Sequence, residues 1–250
     1  MVIVVASSLA YTATSLKSKQ DENVRKEQMQ NILSTIGIET DRDQAEGLYN
    51  EYIKEQLSLV KDGSTDTSVN AFKIKLATET KKPIEQQRFP LYIAEVEDAK
   101  YYIVPLRGAG LWDAIWGYIA LEDDMTTIKG AVFDHKGETA GLGAEITQQW
   151  FQDRFKGEKI YDAEGVLVGI NVSKTNNDPQ GADKEDHEVD AISGATITGD
   201  GVTDMISERL AHYTPYFKQN ATTVEPAIDA TEAEQALEEA TEETTIAYQN

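Results

Sequence analysis

The chain has no cysteine among its 250 residues. Disulfides, thiolate nucleophiles and iron–sulfur clusters held by cysteine are therefore excluded, while either redox compartment remains open. Histidine is almost as scarce. His135, His187 and His212 are the whole set, and none forms an H-E-x-x-H pair, so the sequence offers no metal site. Positive charge is in deficit too. Lys and Arg number 23 against 44 Asp and Glu, for a formal net charge of −21, which argues against a nucleic-acid partner. Past Lys218 no basic residue occurs, while Glu225, Asp229, Glu232, Glu234, Glu238, Glu239, Glu242 and Glu243 follow one another among Ala and Thr. This composition predicts an acidic, disordered tail over 219–250.

Long apolar runs are missing except at the start. Residues 1–16 (MVIVVASSLAYTATSL) carry no charged side chain. As a helix they span roughly 24 Å at ~1.5 Å per residue, short of the ~30 Å core of a bilayer. The stretch reads as a short or partial membrane helix. A signal peptide would want a basic leading region that is absent, and a buried strand is the plain alternative. Lys17 and Lys19 follow, and nothing basic precedes, so charge does not orient the segment.

Residues 17–37 predict a helical stalk: Val24, Met29, Ile32, Leu33 and Ile36 recur at helical spacing and Gly37 stops the run. A second helix is expected over 41–61, opened by Thr40 and Asp43 and faced by Leu48, Tyr52, Ile53, Leu57 and Val60. Then the period changes. Phe72, Ile74 and Leu76 alternate with lysines and read as a strand, followed by strand candidates at 91–95, 101–106, 118–122, 128–135 and 166–173. Strands grouped mid-chain with helices at both ends predict an α+β domain over 38–218, with an antiparallel or mixed sheet flanked by helices. Regular strand–helix alternation is absent, which disfavours a doubly wound nucleotide fold. Gly141 to Ile146 lacks the third glycine of a dinucleotide loop, and no G-x-S-x-G elbow surrounds Ser193.

The stretch richest in chemistry is Asp190-Ala-Ile-Ser193-Gly194-Ala195-Thr196-Ile197-Thr198. It runs into a helical pattern set by Val202, Met205, Ile206 and Leu210. A helix start has free N–H groups and suits a phosphate, and Gly194 and Ala195 allow close approach. Ser, Thr, Asp and Gly are also ordinary cap residues, so composition alone leaves a capped loop equally open.

The string D-x-x-S-G-A-T resembles the flavinylation motif of the covalent-FMN subunits of bacterial sodium-pumping NADH:quinone reductase and the related Rnf complex. A second stretch agrees. His135-Lys-Gly-Glu138-Thr139-Ala140-Gly141-Leu142-Gly143 resembles that family's H-x-E-T-P-G-L-G signature, with one extra residue after the histidine and Ala140 in place of proline. Trp150-Phe151 and Phe155-Lys-Gly match its continuation. The resemblance implies a phosphoester between FMN and Thr196, made by a separate FAD-dependent FMN transferase, with Asp190, Ser193, Gly194, Ala195, Ile197 and Thr198 around it. It further implies that Trp112, Thr139 and Leu142 border the isoalloxazine ring, that Glu138 bonds polar atoms nearby, and that Gly143 and Lys174 lie close to the cofactor. By the same resemblance the chain is a single-pass bacterial inner-membrane subunit with a periplasmic domain, relaying electrons between membrane partners. The Rnf counterpart, a membrane-tethered flavin sensor and a flavin-free binding module are the alternatives.

Overall fold

The computed structural model describes residues 1–178 and 181–220. Its frame is a five-stranded antiparallel sheet in sequence order: β1 Ile53–Leu59, β2 Phe89–Val96, β3 Ala99–Ala109, β4 Ala114–Leu121 and β5 Ile128–His135. Helices precede and follow it, so the α+β class holds. Side chains alternate across a strand, and both faces of the central strands are buried. Tyr101 and Ile103 of β3 point to one layer, Tyr102 and Val104 to the other.

The first layer is built by α1 (Val2–Thr35) and α2 (Ala45–Tyr52). Only the last part of α1 is buried; Met29, Ile32 and Leu33, with Ile36 beyond its end, pack with Tyr49 of α2 onto Tyr92, Ile103 and Ala120. Gly37, at φ 83°, follows. The second layer holds α5 (Thr196–Ala211) and α6 (Thr214–Asn220), together with Phe151 and Phe155 from a helical turn, α4 (Gln149–Gln152), and its 3-10 extension. The helix expected after the D-x-x-S-G-A-T string is therefore present, and it begins at Thr196 itself.

Three expectations are corrected. The helix over 41–61 ends at Tyr52, and its second half is β1, paired antiparallel with β2 through Leu57↔Leu91 and Leu59↔Phe89. Its opening turn is capped by Asp41, whose Oδ1 accepts from the N–H groups of Asp43 and Gln44 at 2.9 Å. The alternating segment 72–76 is not a strand. Asn70 caps a 3-10 turn, Ala71–Lys73, and a single helical turn, α3 (Leu76–Glu79), follows. The strand over 166–173 shrinks to β6 (Asn171–Val172), parallel to β7 (Glu188–Val189). Gly169 at φ 70° breaks it, held close against Ser207 of α5.

α1 runs without interruption through residues 2–35, so the uncharged start and the charged stretch after it are one helix. Val2, Val4 and Leu9 are exposed. Among the described residues no helix is long and apolar enough to cross a membrane. Residues Met1–Gln219 form one compact unit. The predicted acidic tail lies outside the described residues, except for 219 and 220.

Candidate functional site

Three pieces of chain meet at one end of the sheet. The β3–β4 hairpin turns there through Gly110 to Asp113, closed by Gly110 N–H on the Asp113 carbonyl at 2.8 Å. β5 ends there at His135 and runs into the loop 136–142. The start of α5 arrives at the same place because small residues let it pack close: a Cβ on Gly108 would meet Met205, and one on Gly201 would meet the Ala109 carbonyl.

Glu138 joins the three. Its Oε1 accepts from Trp112 N–H at 2.9 Å, and its Oε2 accepts from the Thr198 hydroxyl at 2.7 Å. Burial acts to raise its pKa, but the Thr198 hydroxyl and the N–H groups of Trp112, Asp113 and Leu111 outweigh it and hold the carboxyl below its ordinary value. Gly143 makes room for this arrangement, since a side chain there would collide with both Thr198 and the Glu138 carboxylate. His135 steadies the same loop: its Nδ1 accepts from Glu138 N–H at 3.1 Å. The extra residue after the histidine is absorbed in that turn. The turn at Ala140 closes without a proline, the Thr139 carbonyl accepting from Leu142 and Ala144 N–H at 3.1 Å.

The motif loop supplies the other wall. Gly194 sits at φ 72°, a left-handed conformation that glycine adopts without strain, and faces Leu142. The first backbone bond of α5 runs from Gly199 N–H to the Ala195 carbonyl at 2.9 Å. The N–H groups of Thr196, Ile197 and Thr198 therefore have no helical acceptor. Thr196 is exposed, and its hydroxyl has no hydrogen-bond partner among the described residues. Thr198, two residues on, is buried and bonded to Glu138.

Between these walls lies an open cavity of about 240 Å³ lined by Leu111, Glu138, Thr139, Leu142, Gly143 and the run Gly194 to Thr198. Leu111, Leu142 and Ile197 remain 46%, 40% and 58% exposed, an apolar rim left in water. The remaining candidate residues sit apart from the lining. Trp112, 68% exposed, stands beside it with its indole N–H on Thr139 Oγ1 at 3.1 Å. Ser193 is exposed next to Gly194. Lys174 pairs with Asp200 of α5 at 3.6 Å. Asp190 is buried, and its Oδ1 accepts from the N–H groups of Asn177 and Asp178 at 3.0 and 3.2 Å, so it braces the loop leading into the motif. His187 lies further off, its Nδ1 2.6 Å from the Lys159 carbonyl. Leu111 was not singled out from the sequence. Its signal was an aliphatic side chain placed between Gly110 and Trp112 in a hairpin turn, where an apolar residue has no folding role.

An open apolar cleft with a hydroxyl and unused N–H groups at a helix start suits a phosphate-bearing ligand, and residues 110–211 match the FMN-binding domain family. That span runs from the hairpin turn to the end of α5. The C subunit of the Na(+)-translocating NADH-quinone reductase from Vibrio parahaemolyticus is 30% identical over 221 residues, covering 80% of this chain and 83% of the relative. Its counterpart from Neisseria meningitidis serogroup A is 38% identical over 133 residues, which are 52% of this chain. The match spans only 49% of that relative's length. The crystal structure of the Parabacteroides distasonis counterpart superposes with a TM-score of 0.72 at 36% identity, covering 80% of this chain and 96% of that one. The chain belongs to the family of C subunits of Na(+)-translocating NADH-quinone reductase.

Proposed function

We propose that this chain carries FMN through a phosphoester on Thr196 and relays electrons within a sodium-translocating NADH:quinone reductase. The observation that carries the reading is the contrast between Thr196, exposed at the start of α5 with no partner for its hydroxyl among the described residues, and Thr198, buried and bonded to Glu138. The free N–H groups beside Thr196 suit phosphoryl oxygens. Leu111, Leu142 and Ile197 suit one flat apolar ring, while Glu138 keeps the cleft walls in register. Bound FMN supplies the redox chemistry, and the protein supplies binding and electrostatics. A hydroxyl is a suitable anchor because a phosphoester is redox-inert and leaves the ring free.

An FAD-dependent FMN transferase makes the attachment in this reading, and other membrane subunits of the complex give and take the electrons. Residues 1–16 anchor α1 in the bacterial inner membrane, through exposed apolar side chains such as Val2, Val4 and Leu9. Residues 17–37 act as a stalk and 38–218 as the periplasmic domain. The names of the relatives favour the quinone reductase over the Rnf complex.

The test is co-expression with the transferase, followed by a denaturing gel and peptide mass mapping. The wild-type band is expected to stay fluorescent, with the FMN mass on the peptide containing Thr196. Thr196→Ala is expected to lose both signals completely. A bare wild-type peptide, or flavin retained in Thr196→Ala, refutes the assignment.

A further inference from the structure

The string that carries Thr196 is held from behind by a side chain that lines no part of the cleft. Arg154 stands in the 3-10 turn Asp153–Phe155, whose Phe155 is fully buried. Its Nη1 donates to the Asp190 carbonyl at 2.6 Å and reaches the Ala191 carbonyl at 3.4 Å. The guanidinium lies over the Trp150 ring, 4.9 Å from its centroid. The Arg154 carbonyl in turn accepts from Lys184 Nζ at 2.9 Å. A planar guanidinium laid on an aromatic face loses little further freedom when it bonds, and a charged donor makes the stronger kind of hydrogen bond. From the two carbonyls the constraint runs on toward Thr196. Ala191 N–H bonds the Thr175 carbonyl at 3.3 Å, and Ile192 is buried. Ala195 N–H then closes a turn on the Ile192 carbonyl at 3.0 Å, with Gly194 at φ 72°. That turn is all that separates the braced carbonyls from Thr196.

We propose that Arg154 is a positioning residue for the flavin. By fixing the Asp190 and Ala191 carbonyls it sets the direction in which Thr196 and the free N–H groups of α5 face the cleft. It thereby seats an attached ring against Leu111 and Leu142. The inference rests on the attachment at Thr196 proposed above. A ring tethered only through its phosphate has many rotatable bonds and no orientation of its own. The wall and the tether point must hold still for it to have one, and a site keeps its geometry only when the residues behind it are themselves locked. Lysine is a poor substitute at this position. Its ammonium can bond a carbonyl but cannot lie flat on Trp150. Loss of the brace therefore leaves the phosphoester intact and lets the ring swing.

The full chain and its Arg154→Met and Arg154→Lys variants are co-expressed with the transferase. Peptide mass reports attachment, and the visible circular dichroism and fluorescence anisotropy of the flavin report its seating. Arg154→Met is expected to carry FMN on Thr196 in wild-type yield, with a visible dichroism several-fold smaller and a lower anisotropy. Arg154→Lys is expected to fall between the two. The unmodified chains give a second reading without flavin. Hydrogen exchange at the N–H groups of Ala195 and Gly199 is expected to quicken by roughly tenfold in Arg154→Met, while those near Leu210 keep wild-type rates. Wild-type flavin signals in folded Arg154→Met overturn the proposal, as does exchange that quickens equally along all of α5. Should Arg154→Met fail to fold, wild-type signals in Arg154→Lys overturn it. A wild-type chain with Thr196 bare refutes the attachment itself, and this inference with it. FMN attached but seated alike in wild type and variants refutes the role of Arg154 alone.

Discussion

The two ends of α5 are built to opposite specifications. At its C-terminal end Arg209, Leu210 and Tyr213 are turned inward. Arg209 is 4% exposed with its guanidinium over the Phe89 ring at 5.6 Å, His212 stacks on the same ring at 4.8 Å, and buried Tyr213 gives its hydroxyl to the Pro90 carbonyl at 2.8 Å. At its N-terminal end Thr196 and Ile197 face water and backbone N–H groups go unused. One end closes against the chain's own sheet. The other keeps hydrogen-bonding capacity and apolar surface in reserve, which folding alone does not require. Glu138 and Thr198 make this possible, because they fix the open end from below without covering it.

The largest expected effect tests that anchoring. Glu138→Ala leaves the Thr198 hydroxyl and the Trp112 N–H without their acceptor, and is expected to cost about 2–4 kcal/mol of stability. Denaturant unfolding measures it. Because the Glu138 carboxyl is held below its ordinary value, the stability it adds is complete above the unfolded carboxyl pKa and disappears as pH falls through the folded one. The gap between wild type and Glu138→Ala should therefore narrow in acid. A gap that stays constant from neutral pH to below about 4 (a value set by the usual glutamate range) would mean that Glu138 acts by packing alone.

Gly143→Ala comes next. Its methyl would collide with Thr198 and the Glu138 carboxylate, forcing them apart at an expected cost of about 1–3 kcal/mol. The comparison is sharpened if the N–H of Trp112 loses hydrogen-exchange protection together with that of the 111–113 turn while the C-terminal half of α5 keeps its own. Uniform loss along the helix would show that its two ends are not independent.

The same division explains what could be read from the sequence. β2 to β5 were legible because Val, Ile, Leu and Tyr dominate them and their flanks carry turn residues. β1 was not: Ile53, Leu57 and Val60 fit a helix locally, with Lys, Glu and Gln between them, and only pairing with Leu91 and Phe89 makes the segment a strand. Segment 72–76 failed the other way. Its alternation is real, with Lys73 and Lys75 exposed, but among the described residues no strand pairs with it and Asn70 bends it into a turn. The open end of α5 was readable because its small and hydroxyl residues stand in one contiguous string. The contact of Arg154 with the Asp190 and Ala191 carbonyls was hidden, since its members lie 36 and 37 positions apart without a pattern and meet only through the fold.

The effect that is smallest near neutral pH belongs to the closed end. Burial, aided by Arg209, lowers the His212 pKa from 6.5 to about 4, so the folded chain holds this imidazole neutral while the unfolded chain protonates it sooner. For a base shifted this way the stabilising contribution is complete above the unfolded value of 6.5 and is lost progressively as pH falls toward about 4. His212→Phe keeps a ring on Phe89 but cannot bind the proton. Urea midpoints for the variant should fall less steeply than wild type between pH 6.5 and 4, with little difference at about pH 8 (well above the histidine range). Flavin attachment at Thr196 should be unchanged throughout. If His212→Phe alters attachment, the two ends of α5 communicate, and the open end is not held by Glu138 and its neighbours alone.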